Sequence, residues 1–212
     1  MNPRPRRLNV LRWLPDGWIQ TAGPRAQKSL YLTFDDGPHP EHTPPLLDLL
    51  ARHGAKATFF LIGEQIDRHS ALAQRIVEEG HTLGNHSFTH PQFETLPLDA
   101  QFDEIERTDR ALASVSGRPR HGFRPPRGVL PLPLMLRFIR QRRRIAYWSY
   151  DSLDYSRRPA PELVDIIKRH PVRAGDIVLM HDDSTISLEM LESLIPTWKA
   201  EGFSLLALPQ EG

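Results

Sequence analysis

Residues 29–37, Ser-Leu-Tyr-Leu-Thr-Phe-Asp-Asp-Gly, join a short β-rich run to two acidic residues and a glycine. Aromatic and β-branched residues favour strands, and carboxylates that directly follow such a run indicate functional groups at a strand end. Thr43–His53 comes next, with the apolar spacing of a helix that stops at Gly54, and 57–62 is a second β-rich run. This order predicts a parallel strand–helix–strand unit.

The same alternation of strands and helices continues to residue 208. The further strand candidates are 81–85, 121–124, 145–150, 176–180 and 203–208, and the further helix candidates are 64–79, 98–116, 132–141, 161–169 and 186–200. Seven strands that alternate with helices predict an α/β fold, either an open doubly wound sheet or a small, incomplete (β/α) barrel. Both architectures place functional groups on loops at the carboxyl ends of strands.

The composition of the 212 residues excludes several classes of protein. Without cysteine, the chain has no disulfide scaffold, cysteine-ligated zinc site or thiol nucleophile. The 27 Lys and Arg residues against 26 Asp and Glu residues lack the basic excess of a dedicated nucleic-acid binder. No apolar run approaches the roughly 18 residues of a transmembrane helix. Residues 1–28 are polar and proline-broken, without the apolar region of a signal peptide, so we expect an N-terminal extension over 1–28, one domain over 29–212 and a cytoplasmic location.

Polar residues gather directly after five of the seven predicted strands. They are Asp35-Asp36 after the first, His86 to His90 after the third, Arg124 to Gly128 after the fourth, Asp151 and Asp154 after the fifth, and His181 after the sixth. Because the carboxyl ends of parallel strands lie on the same side of a sheet or barrel, we expect these groups to form one site.

His86 and His90 are four residues apart, so they can present both rings on one side of a helical turn. With one carboxylate they make a His₂-carboxylate set that leaves positions open for water and substrate. Adjacent side chains in an extended segment point in opposite directions, so one of Asp35 and Asp36 can bind the metal while the other acts as a base. The competing interpretations are a structural histidine pair and a turn cap formed by the aspartates.

These residue types indicate hydrolysis of an amide or ester. A divalent metal polarises a carbonyl and lowers the pKa of a water molecule, an aspartate takes the water proton, and a histidine such as His181 protonates the leaving amine. Arg124, followed by two prolines, can hold a nearby carboxylate ionised. The chain has no cysteine and no G-x-S-x-G motif, which argues against a covalent acyl-enzyme.

Five segments, in order, resemble the motifs of the polysaccharide deacetylases, carbohydrate esterase family four, and in particular the nodulation-type chitooligosaccharide deacetylase domain of bacteria. The segments are TFDDG at 33–37, HSFTH at 86–90, RPPRG at 124–128, DSLDY at 151–155 and LMH at 179–181. The resemblance covers about residues 29–208 and implies a polysaccharide deacetylase catalytic domain over 29–212, folded as a distorted, incomplete (β/α) barrel of about seven parallel strands. It implies a metal-dependent hydrolase that removes N-acetyl, or O-acetyl, groups from a sugar, oligosaccharide or polysaccharide.

The resemblance also implies roles for single residues. The catalytic group consists of the general base Asp35, its partner Arg124, the general acid His181, and Asp154, which orients that histidine. The metal ligands are Asp36, His86 and His90, which would bind one divalent ion, with zinc expected and cobalt, nickel or manganese as alternatives.

Three further positions lie on the substrate side of the implied site. Leu179 matches the residue that lines the acetyl-methyl pocket, and the backbone N–H of Arg127 matches an oxyanion donor. Arg127 stands where family members often carry tyrosine, and Tyr155 stands where they usually carry tryptophan. A guanidinium in the groove predicts a substrate with an anionic group, such as a uronic acid or a diphosphate-linked lipid precursor. The competing interpretation is an Arg127 side chain that faces solvent or pairs with Asp182 or Asp183.

Two other functions stay open at this stage, namely hydrolysis of another acyl amide or ester on the same scaffold, and non-catalytic sugar binding. A cluster of basic residues allows one further partner. It comprises Arg137, Arg140, Arg142, Arg143 and Arg144. The cluster predicts either a solvated helix face or peripheral contact with an anionic surface, such as the inner membrane or a phosphate-bearing carrier.

Overall fold

The structure, a computed structural model, describes residues 2–5, 18–25 and 27–210. The strands in these ranges are β1 (Ile19–Gln20), β2 (Ser29–Asp35), β3 (Thr58–Leu61), β4 (Thr82–Asn85), β5 (Ile145–Ala146), β6 (Tyr150–Asp151), β7 (Ile177–His181) and β8 (Ser204–Leu206). The helices are α1 (Thr43–Arg52), α2 (Gly63–Arg68), α3 (Ser70–Glu78), α4 (Leu98–Ser116), α5 (Leu132–Arg140), α6 (Ala160–Arg169) and α7 (Ile186–Ala200).

The stretch quoted first forms the central strand β2, and all seven of its residues are buried. The described strands pair in parallel in the order β4-β3-β2-β7-β6, while β8 pairs with the beginning of β2 and β1 pairs with β5. Phe123 bridges Asn85 of β4 and Ile145 of β5, and the chain runs on from β5 to β6. The strands therefore circle back to β7, and the prediction of a distorted, incomplete (β/α) barrel is confirmed.

Several predicted strands are shorter in the structure, and two of them also change in character. The candidate at 121–124 is reduced to bridges at Phe123, because the prolines at 125 and 126 have no N–H group with which to continue a ladder. The candidate at 145–150 divides into β5 and β6, since its backbone changes partners: Tyr147 N donates to Gln20 O, whereas Ser149 N donates to Ile177 O. The helix predicted at 64–79 also divides, at His69, where the backbone leaves helical geometry (φ −133°, ψ 43°).

Apolar side chains from β2, β3 and β7 form the centre of the main core, against which the helices pack. Phe34 and Phe59 stack on neighbouring strands with their ring centroids 5.1 Å apart. Burying each such side chain stabilises the fold by about 1.5–3 kcal/mol. The 19-residue helix α4 ends at Gly117, whose φ of 71° is the left-handed conformation that favours glycine at this position.

The described part of the N-terminal extension packs against the domain. β1 pairs with β5, the Pro3 carbonyl accepts a hydrogen bond of 2.7 Å from the Asp151 amide, and Arg4 forms an ion pair of 2.8 Å with Asp176. The remainder of 1–28 lies outside the described residues. No helix in the described ranges combines the length and the hydropathy needed to cross a bilayer.

Candidate active site

A cavity of about 360 Å³ opens at the carboxyl ends of the strands, and most of the predicted functional residues line it. The lining residues are Asp35, Asp36, His86, His90, Arg127, Gly128, Trp148, Asp151, Tyr155, Leu179 and His181. The register explains this convergence, because Asp35 is the last residue of β2 and lies opposite His181, the last residue of β7. The other two predicted residues, Arg124 and Asp154, contact the lining residues Asp35 and His181 from behind.

Asp36, His86 and His90 bring their ligand atoms together within 4.8 Å of one another. Asp36 Oδ1 lies 3.4 Å from Nε2 of both histidines. Asp36 has a φ of 78°, a left-handed conformation that aspartate tolerates better than most residues do, and this turns it away from the direction of β2. Its Oδ1 atom is buried and has no hydrogen-bond donor among the described residues. Because an unpaired buried carboxylate oxygen is unfavourable, the donor set fits a divalent cation.

The His86 ring is held in the tautomer that a metal ligand requires. Its Nδ1 lies 2.8 Å from the carbonyl oxygen of Arg124. A carbonyl can only accept, so Nδ1 carries the proton and Nε2 keeps its lone pair towards Asp36. Burial lowers the pKa of His86 to about 3, so the imidazole is neutral at physiological pH.

Asp35 points to a different partner from that of Asp36. Its Oδ1 accepts a hydrogen bond of 2.7 Å from Nη1 of the fully buried Arg124, which also donates to Thr33 Oγ1 at 2.8 Å and to the Tyr147 carbonyl at 3.1 Å. Burial raises the pKa of Asp35, and the positive charge of Arg124 opposes that rise. Asp35 Oδ2 also lies 3.8 Å from His86 Nε2, so the two aspartates differ in that Asp35 is held by a guanidinium, whereas Asp36 approaches both imidazoles.

His181, on the strand next to β2, forms a second charged pair with Asp154. His181 Nδ1 donates to Asp154 Oδ1 at 2.8 Å, and the second carboxylate oxygen accepts from the His181 amide at 2.7 Å and from the Ser187 hydroxyl. Burial lowers the pKa of His181, but the hydrogen bond and charge of Asp154, together with the charges of the two strand-end aspartates, raise it to about 10. The ring therefore carries a proton that it can donate.

The family model of the polysaccharide deacetylases matches residues 22–134. The chain belongs to the polysaccharide deacetylase family. It is a carbohydrate deacetylase, a metal-dependent hydrolase that removes N-acetyl groups from sugars, and the predictions of fold, enzyme class and family are confirmed.

Individual relatives agree with the family assignment, and two of the three below are named as deacetylases. A chitooligosaccharide deacetylase of Rhizobium leguminosarum bv. trifolii is 35% identical over 201 residues, which cover 86% of this chain and 91% of the relative. A crystal structure of a peptidoglycan N-acetylglucosamine deacetylase in complex with 4-naphthalen-1-yl-N-oxidanyl-benzamide superimposes with a TM-score of 0.85 at 30% identity, covering 93% of each chain. A wild-type family-four pseudoenzyme of Bacillus anthracis superimposes with a TM-score of 0.82 at 28% identity, covering 93% of this chain and 69% of that one.

The cavity has two further lining residues: Trp148, which the sequence analysis did not name, and Asp151, which it expected in the site after the fifth strand but gave no role. The indole Nε1 of Trp148 is buried and has no hydrogen-bond partner among the described residues. Asp151 accepts a hydrogen bond of 3.1 Å from the hydroxyl of Tyr155, whose exposed ring stands edge-on to His181 with centroids 5.7 Å apart. Trp148 lies within the 145–150 strand candidate, near its carboxyl end, and that position was the sequence signal for it.

Arg127 lies on the rim of the cavity and is exposed. It has a φ of 55° between a proline and Gly128, so the turn at this position is sharp. Among the described ion pairs, none joins Arg127 to Asp182 or Asp183, and the Asp182 carboxylate instead accepts a hydrogen bond of 2.5 Å from Thr43.

Proposed function

We propose that this deacetylase hydrolyses the N-acetyl group of an amino sugar with Asp35 as general base and His181 as general acid, at a site where Asp36, His86 and His90 hold one zinc ion. The observation that carries the proposal is the separation of the two adjacent aspartates. Asp35 is bound by a buried guanidinium, whereas Asp36 faces two imidazoles with an unpaired oxygen. Two histidines and one carboxylate are a common protein ligand set of catalytic zinc, which supports zinc over cobalt, nickel or manganese.

When bound, a divalent ion polarises the acetyl carbonyl and lowers the pKa of a water molecule. Asp35 accepts the proton of the attacking water, and Arg124 keeps its carboxylate oriented during that transfer. His181 then donates its proton to the nitrogen of the leaving amine, while Asp154 stabilises the imidazolium and fixes the ring. The raised pKa of His181, about 10, supports its role as the acid, because the ring is protonated at neutral pH.

Two residues complete the proposed treatment of the acetyl group. Leu179 is nearly fully buried in the cavity wall, which suits an apolar pocket for the acetyl methyl group. The backbone N–H of Arg127 is proposed to donate to the oxyanion of the tetrahedral intermediate. Tyr155, with 59% of its surface exposed, offers a ring face at the cavity mouth for contact with the sugar.

The proposed substrate is an acetylated amino sugar that carries an anionic group. Two of the relatives named above are a chitooligosaccharide deacetylase and a peptidoglycan N-acetylglucosamine deacetylase, and both names point to an N-acetylated sugar. The exposed guanidinium of Arg127 on the rim supports a carboxylate or diphosphate beside that sugar. A lipid-linked precursor would meet this requirement.

A peripheral contact of the deacetylase with an anionic membrane, from the cytoplasmic side, is part of the same proposal. Leu132 and Leu136 are exposed on α5, and Arg140 and Arg142 are exposed at its end, which supports an amphipathic surface. Arg143 is instead buried and forms an ion pair of 2.6 Å with Asp109, and Arg137 lies 3.8 Å over the ring of Phe102, so the exposed basic cluster is smaller than its sequence indicates. We further propose that 29–212 is the catalytic domain and that 1–28 is an extension, whose described residues pack against it.

Release of acetate from N-acetylated chitooligosaccharides, with and without a chelator, tests the activity. The wild type is expected to lose turnover with chelator and to regain it with zinc. Elemental analysis of protein purified without added metal tests the site, and unchanged metal content in a His86→Ala, His90→Ala double variant contradicts it. O-acetylated and formylated sugars in the same assay separate N-deacetylation from hydrolysis of another acyl group. Retention of base, acid and ligands supports an enzyme rather than a non-catalytic sugar-binding relative.

A further inference from the structure

The segment between the two histidine ligands has a backbone that needs external support. Ser87 has a φ of 69° and His90 a φ of 55°, and the left-handed conformation is unfavourable for residues other than glycine. The segment makes one described hydrogen bond within itself, from His90 N to Ser87 Oγ at 3.2 Å. Its geometry, and with it the separation of the two imidazoles, therefore depends on neighbouring elements.

Glu104 on α4 supplies acceptors for this segment. Its Oε2 atom accepts hydrogen bonds from the amides of Phe88 at 2.9 Å and Thr89 at 2.7 Å, and its Oε1 atom accepts from the Thr89 hydroxyl at 3.1 Å. The side chain is buried, and among the described residues it takes part in no ion pair. All three described hydrogen bonds of its side chain thus go to Phe88 and Thr89, the two residues that precede His90.

The other side of the segment is fixed by the start of α2. The amides of Gly63 and Glu64 donate to the carbonyls of Ser87 and Phe88, each at 3.0 Å. A Cβ atom on Gly63 would lie 2.3 Å from the Phe88 ring, so the helix approaches the segment as closely as its backbone allows. Glu104 therefore bonds the amides of a segment whose carbonyls are already bonded, and together the two elements leave it little freedom.

We infer that Glu104 is a positioning residue of the metal site, which sets where His90 stands relative to His86. The inference rests on the metal site of the proposed function. It predicts an asymmetry between the two histidines, because His86 is oriented separately by the Arg124 carbonyl at 2.8 Å, whereas the backbone next to His90 is bonded to Glu104. Loss of Glu104 should therefore weaken zinc binding through His90 alone.

The test measures the zinc affinity of chelator-treated protein by competition with a chromogenic zinc chelator. Glu104→Ala is expected to weaken binding about 10–100-fold, the usual effect of removing a partner outside the ligand set. Gln101→Ala is the matched control, since Gln101 is a buried residue of α4 that donates to the carbonyls of Phe93 and Leu96 at 2.8 and 2.9 Å, outside the segment between the histidines. The Gln101→Ala substitution is expected to lower the thermal stability of the metal-free protein but to leave the zinc affinity at the wild-type value.

Two isosteric or charge-conserving variants keep the inference testable if Glu104→Ala does not fold. Glu104→Gln still offers an oxygen to both amides, so it should retain most of the affinity. Glu104→Asp keeps the charge but is one methylene shorter and cannot reach both amides, so it should weaken binding about tenfold. Equal affinity in the wild type and in Glu104→Asp overturns the inference, as does a Glu104→Ala variant that behaves like Gln101→Ala.

A double-mutant cycle with His90→Ala identifies the route of the effect. If Glu104 acts through His90, the double variant binds zinc as weakly as His90→Ala alone and no more weakly. If the fold-loss of zinc affinity in the double variant equals the product of the losses in the two single variants, Glu104 acts independently of His90, and the inference is overturned. A wild type that binds no zinc overturns both the inference and the proposed metal site, whereas zinc binding that Glu104 variants leave unchanged overturns only the inference.

Discussion

Replacing Arg124 by methionine should expose how the deacetylase keeps a buried carboxylate usable as a base. Arg124 makes three described hydrogen bonds from its two terminal nitrogens, and one of them neutralises Asp35. Methionine fills much of the volume but leaves the carboxylate buried and unpaired. Breaking a buried ion pair by removing one partner typically costs about 3–5 kcal/mol. At about 2–4 °C per kcal/mol for a chain of this size, we expect the melting temperature to fall by about 6–20 °C.

The pH dependence of this loss follows from the direction of the Asp35 pKa. Burial already raises it, and removal of the Arg124 charge removes the largest opposing influence. A carboxyl group whose pKa is higher in the folded than in the unfolded protein destabilises the fold progressively as pH rises from its unfolded-state pKa to its folded-state pKa. The Arg124→Met variant should therefore be closer to the wild type at pH 5 than at pH 8, and its kcat/KM should rise only at higher pH than that of the wild type.

Urea denaturation of metal-free protein at both pH values measures the stability, and acetate release measures the pH profile. The control is the double variant Asp35→Asn, Arg124→Met, in which no charge is left buried, so that it should regain a large part of the lost stability. Arg124→Met with an unchanged stability, or a double variant no more stable than the single one, would refute the account of Arg124 as the partner that keeps Asp35 ionised.

Three further predictions concern the reaction itself. Asp35→Asn should lower kcat by about 10²–10⁴-fold while zinc content stays near the wild-type value, and loss of zinc in this variant would reverse the roles of the two aspartates. Asp154→Asn removes the main influence that raises the pKa of His181, so the alkaline limb of the kcat profile should move to lower pH; an unmoved limb would exclude His181 as the acid. Arg127→Tyr should lower kcat/KM on an anionic acetylated sugar more than on a neutral chitooligosaccharide, and the difference should shrink at high salt. Equal losses on both substrates would mean that the Arg127 side chain does not select the substrate and that only its backbone N–H acts in the site.

The sequence was sufficient to predict that residues directly after strands converge on one cavity. Asp35, His86 and His181 each end or directly follow a parallel strand, so the strand order alone brings them to one face. The bounds of α4 at Leu98–Ser116 were also predicted in full, because the helix ends at a glycine and has a regular apolar face.

Other contacts could not be predicted, because they depend on pairs of residues far apart in the chain or on backbone conformation. Glu104 looks like an ordinary acidic residue of an amphipathic helix, and only the fold brings it to the amides of Phe88 and Thr89. The division of 145–150 into two strands arises from a change of pairing partner, which periodicity does not reveal. The positive φ of Asp36 is likewise a tertiary feature.

The closure of the barrel at Phe123 has a consequence for slow motions of the enzyme. We call residues 122–124, which join β4 to β5, the seam. Towards β4, the Asn85 amide donates to the Gly122 carbonyl and the Arg124 amide donates to the Asn85 carbonyl. Towards β5, the Phe123 amide donates to the Arg144 carbonyl and the Ala146 amide donates to the Phe123 carbonyl. Five residues of β2, by contrast, are in register with β7. Amide hydrogen exchange by local opening should therefore be faster along the seam than along β2. The Arg124 carbonyl that orients His86 lies in the seam, so each such opening would also free the ring of this proposed metal ligand. Exchange of the proposed zinc ion should therefore be as fast as the opening.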